Sequence, residues 1–137
     1  MSVVRIDGSS EAVTVETRSM LAHDLAHLAT ESTLATDDGF FGRVAAGAPL
    51  HGRWDDLPPE SVDALMVVES VAARVQGLWS ADLPAERWAD ALDGLHPGLD
   101  RRRSGEIHER LRRLHGRWQA TSFDGAMVLG WPDLDER

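Results

Sequence analysis

The chain has 137 residues, of which 42% are hydrophobic and 27% charged, with a formal net charge of −9 and no cysteine. This is the balance of a soluble globular chain able to bury a core, and it disfavours a general nucleic-acid binder. Without cysteine there are no disulfides, no thiolate chemistry and no sulfur-held zinc, so any metal must be bound through nitrogen and oxygen.

The opening segment MSVVRIDGSS reaches a turn before a signal-type apolar region can form, and the longest wholly apolar run, Ala64 to Val68, falls far short of the ~20 residues a membrane span needs. A cytoplasmic protein without membrane contact is the expectation. All fourteen basic residues are arginine, as expected from codon usage in a GC-rich bacterial genome.

In chain order, Val3 to Ile6 and Ala12 to Thr17 flank Asp7-Gly8, which predicts an N-terminal hairpin with Val13 and Val15 on one face of its second arm and Thr14 and Glu16 on the other. A first helix is predicted from about Met20 to Thr36, with Thr17 or Ser19 as N-cap and Gly39 as the residue that closes it. Leu21, Leu25 and Leu28 share its apolar arc. Phe40 to Trp54, with three glycines and a proline, allows one short helical turn near Arg43 to Ala46.

Pro58-Pro59-Glu60 opens a long helix to about Trp79, the most apolar of the chain and the expected centre of the core, with Val62, Leu65, Met66, Val68, Val71, Val75 and Leu78 at helical spacing. Pro84 starts another helix, carrying Trp88 and Leu92 inward. A further helix begins near Asp100 or Ser104, where Ile107, Leu111, Leu114 and Trp118 form its stripe. WQATSF and AMVLGW around Asp124-Gly125 predict a second hairpin, and residues 132–137 a frayed polar tail. These elements predict a single α+β domain over residues 1–137. Its two terminal β-hairpins would join in one antiparallel sheet of about four strands, covered by about four helices.

The stretch SMLAHDLAHLATESTLATDDG carries the candidate site. His23, His27 and Glu31 recur every four residues, so a helix stacks them on one side outside the leucine arc, in a pattern suited to a zinc-like divalent transition metal. Asp24 and His51 are possible supporting groups. HDLAH resembles the helix signature of zinc proteases over these five residues. Asp24 stands where that signature has its catalytic glutamate and is one methylene shorter, so the resemblance implies a metal-holding helix and not the protease activity.

Asp37, Asp38, Asp55 and Asp56 lack the alternating ladder of a calcium loop and are read as solvated acids. Arg101 to Arg117 holds seven arginines, which are expected to pair within the protein or between subunits rather than with nucleic acid. No glycine-rich phosphate loop or nucleophile elbow is present. Two functions stand as expectations: a domain acting through protein contacts, with self-association or a protein partner, and a metal-binding domain with hydrolysis as the chemistry its metal could serve.

Overall fold

In the computed structural model, residues 1–13, 17–50 and 54–135 are described. They form strands β1 (Ser2–Val4) and β2 (Ser10–Ala12), then helices α1 (Thr17–Leu34), α2 (Phe40–Ala45), α3 (Pro59–Ser80), α4 (Ala85–Leu92) and α5 (Arg101–Ala120). Thr14, Val15 and Glu16 of the expected second strand, His51, and the end of the polar tail lie outside the described residues.

β1 and β2 pair antiparallel with Val3 opposite Glu11. The turn between them is built by Asp7, whose Oδ1 accepts from the Ser9 amide at 2.8 Å and the Ser9 hydroxyl at 2.7 Å, and by Gly8 at φ 85°. A glycine fits there because side chains disfavour that conformation. Arg5 leaves the hairpin and ties it to α2: its Nε donates to the Val44 carbonyl at 2.7 Å and an Nη to the Ala48 carbonyl at 2.8 Å. The same guanidinium pairs with Glu11.

Helix α1 packs against α3 on one side and α5 on another, and also meets α2. Val68, Val71, Val75 and Leu78 of α3 are buried as their spacing predicts, but the helix that the others pack around is α1. Val62, Met66 and Val67 of α3 are exposed, whereas α1 is buried almost throughout its second half, polar residues included. Ala26 and Ala29 allow the close approach, and Leu25 joins Val71, Val75, Trp88, Leu92, Ile107 and Leu111 in one core cluster. The indole of Trp88 is fully buried and donates to the Leu83 carbonyl at 3.0 Å, which removes the cost of burying its N–H. Asp100 caps α5 by accepting from the Arg103 amide at 2.7 Å.

The four-stranded sheet does not form. Among the described residues there is one two-stranded sheet, β1–β2, and the expected second hairpin is absent. Its first arm is consumed by α5, which runs on through Trp118 to Ala120 along the apolar stripe that begins at Ile107. Its second arm is extended but carries a single bridge residue, Leu129. There Met127 and Leu129 pack on the core while Val128 is exposed, so the two-residue alternation marks a chain laid against helices rather than a partner strand. A turn forms one residue earlier than expected, centred on Phe123-Asp124 and closed by the Gly125 amide on the Ser122 carbonyl. No helix among the described residues is long and apolar enough to cross a membrane.

The exit of α1 also differs from expectation. Ala35, at φ 50°, takes the left-handed closing position, and the Thr36 amide reaches back to the Glu31 carbonyl at 3.3 Å. Gly39 instead begins α2, because the fully buried Glu31 side chain occupies the space where a Cβ would stand, well inside van der Waals contact. Gly77 of α3 faces open space. Gly39→Ala is therefore expected to destabilise by about 1–3 kcal/mol through overpacking. Gly77→Ala should be stabilising by about 0.5–1 kcal/mol. Chemical denaturation of both variants checks this; equal effects would show that Glu31 moves aside freely.

Candidate metal centre

Two turns of α1 carry His23, His27 and Glu31 toward neighbouring helices rather than toward water. His27 is 2% exposed and Glu31 is fully buried; His23 is half-buried. The His23 and His27 rings lie edge to face with centroids 4.6 Å apart.

His27 is held at both ring nitrogens. Its Nδ1 lies 2.8 Å from Glu31 Oε2, one turn along the same helix, and its Nε2 lies 3.0 Å from Glu69 Oε2 on α3. The other oxygen of Glu31 accepts from the Gly42 amide at 3.0 Å. That amide belongs to the first turn of α2, where Gly39 supplies no side-chain cap, so Glu31 fills the capping role from a distant part of the chain. His23 Nδ1 sits 3.4 Å from the amide oxygen of Gln76, one heptad beyond Glu69 on α3. One ligand atom each from His23, His27 and Glu69 lies within 4.8 Å of the other two.

Of the residues singled out in the sequence, the structure thus joins His23 and His27 to Glu69 and sets Glu31 against the far nitrogen of His27. Asp24 lines an apolar cavity instead. His51 lies outside the described residues. Asp37, Asp38, Asp55 and Asp56 are exposed. Glu69 and Gln76 escaped sequence reasoning. The available signal was a carboxylate and an amide seven residues apart within the most apolar helix, a spacing that places both on one face.

Burial opposes charge on His27, but the hydrogen bonds and fields of Glu31 and Glu69 outweigh it and raise its pKa to about 9. The hydrogen bond from His27 lowers the pKa of Glu69 against the opposing effect of burial. Burial raises that of Asp24, with the nearby histidines pulling the other way. Protonated, His27 donates from both nitrogens and clamps two carboxylates. Deprotonated, and held by Glu31 at Nδ1, it presents an Nε2 lone pair toward Glu69. That orientation of an imidazole by a buried carboxylate is the one metal-binding histidines use.

Elsewhere three of the seven arginines of α5 pair within the helix, Arg102 with Glu106 at 2.7 Å, and Arg112 and Arg113 with Glu109 at 2.7 and 2.9 Å, while Arg117 donates to the Val128 and Leu134 carbonyls. Compared with known proteins, the chain matches no protein-family model, no curated protein and no solved structure.

The clamp has a pH signature in metal-free protein. A folded pKa of about 9 against an ordinary 6.5 contributes stability that is complete below pH 6.5 and is lost as pH rises through 9. The lowered pKa of Glu69 contributes stability above its ordinary 4.5 that is lost on acidification. The melting temperature should therefore fall between pH 7 and roughly 9.5, and less so in Glu69→Gln. A wild-type profile flat across that interval would remove the clamp.

Proposed function

We propose that this is a divalent-metal-binding helical domain in which His23, His27 and Glu69 hold a zinc-like transition metal and Glu31 orients His27. The observation that carries the reading is the convergence of two imidazoles from α1 and a carboxylate from α3, with His27 already braced from behind. The donor set suits zinc and its neighbours in the first transition row. One pair is already at ligand spacing, and the wider separations of the set, up to 4.8 Å, close on binding. Two ligands at ~2.1 Å in a tetrahedron stand roughly 3.4 Å apart, and the His27–Glu69 pair stands at 3.0 Å. The ion competes with the proton that bridges that pair, and a fourth position is left for water or a substrate. Asp24, turned into a cavity, does not supply a base at this centre.

Titration of zinc, nickel and manganese into chelator-treated protein, followed by thermal unfolding, tests the proposal. At least one ion should raise the melting temperature as its concentration passes the dissociation constant. His23→Ala and Glu69→Gln should remove that response, and Glu31→Gln should weaken binding by about 10–100-fold. His23 is the better alanine variant because His27 belongs to the buried clamp. No shift with any of the three metals sinks the proposal.

A second reading, a domain acting through protein contacts and self-association in the cytoplasm, draws on Val62, Met66 and Val67, three exposed apolar residues along α3. Sedimentation over a wide concentration range should then show a dimer that Met66→Arg disperses; a monomer throughout counts against self-association.

A further inference from the structure

On a different side of α1 from the histidines lies a cavity of about 300 Å³, bounded by the β1 strand, α1, α2, the end of α5 and the extended C-terminal segment. Its lining is apolar and partly aromatic, with Leu21, Leu28, Phe41, Trp118, Met127 and Trp131 among the residues that form it. Asp24 is the one charged side chain in the described lining. Its carboxylate has no hydrogen bond or ion pair among the described residues. His23, His27 and the Met1 ammonium act on it only through space, and that ammonium donates to the Val13 carbonyl at 2.6 Å.

A half-buried carboxylate with no hydrogen-bond donor of the protein against it can take one direct charge-assisted contact, and apolar walls strengthen that contact. An anionic ligand would be repelled, and a neutral one would leave the carboxylate unpaired. A protonated amine satisfies it with a charge-assisted hydrogen bond while its body fills the apolar space. The aromatic walls suit a ring or a cation beside a ring. A volume of about 300 Å³ is at the small end of ligand pockets and suits a single ring with a short chain. From this geometry we infer a second site: a pocket for a small primary amine with an apolar body, whose ammonium pairs with Asp24 and whose hydrocarbon lies against Phe41, Met127 and Trp131.

The test uses the full chain treated with chelator, so that no amine can bind through a metal. Phenethylamine, phenethyl alcohol and phenylacetate share a ring and two further carbons and differ in head group. Calorimetric titration should give saturable binding of the amine, about tenfold or more weaker binding of the alcohol, and none of the carboxylate. In Asp24→Asn the preference for amine over alcohol should disappear while alcohol binding persists. Methionine-methyl NMR on the wild-type chain gives a readout independent of that variant folding: the Met127 methyl should shift with amine, and the Met66 methyl, exposed on α3, should not. Equal binding of amine and alcohol to the wild type overturns the inference. So does a retained amine preference in Asp24→Asn, or an unmoved Met127 methyl. Loss of the metal response in the preceding titrations leaves this site untouched, because its ligands and readout are separate.

Discussion

The arrangement of the helices depends on one buried carboxylate. Glu31 is fully enclosed on the helix that lies between α3 and α5. An ionised side chain removed from water costs several kcal/mol unless its lone pairs are met. Here they are met from two directions, by His27 on its own helix and by an amide of α2, and His27 in turn reaches Glu69 on α3. Three helices are thus held in one relative placement by a short chain of polar contacts. Hydrophobic burial around it supplies adhesion, but area alone does not fix which turn of α3 faces His27.

Helix α1 is two-sided in its chemistry. Toward α3 it presents imidazoles to a carboxylate and an amide. Toward the hairpin and the C-terminal segment it presents Leu21, Leu28 and the lone acid Asp24 to an apolar space. Between these sides Leu25, Ala26 and Ala29 bury into the common core. Adjacent residues such as His23 and Asp24 therefore work in different surroundings, because successive helical positions diverge by about 100°.

Local signals were legible where local chemistry decides structure. Asp7-Gly8 marks a real turn, Pro59 a real helix start and Asp100 a real cap, each because the residue's own backbone preference or side-chain bond creates the feature. The stripe from Ile107 to Leu114 is buried as its spacing indicates. Nonlocal decisions were not legible. The alternation around Met127 is the same whether the extended chain pairs with a strand or lies on helices, and only the presence of a partner distinguishes the two. The polar run Thr30-Glu31-Ser32-Thr33 resembles a wet face. Three of its four side chains are satisfied in burial, Glu31 by distant partners and Ser32 and Thr33 by bonding back to the Ala29 carbonyl at 3.3 and 2.8 Å, while the Thr30 hydroxyl is buried without a partner. Of the candidate metal centre, the two histidines were visible through their spacing. Glu69 was not, since a single acid in an apolar helix acquires meaning only when another helix docks against it.

Helix α2 shows what such docking implies for a small element. Six residues cannot sustain a helix alone, because nucleation costs more than so few bonds return. This one is gripped at its start by the Glu31 carboxylate and near its end by the Arg5 guanidinium, negative charge on the positive pole and positive on the negative. It behaves as a strut under load from both ends, spanning from the histidine cluster to the hairpin. The joint at the Arg5 end engages two carbonyls and a carboxylate at once, a fork that a planar guanidinium offers and a compact ammonium does not. The absence of lysine from the chain is thus a matter of indifference over most of its surface, but at position 5 arginine is what the carpentry requires.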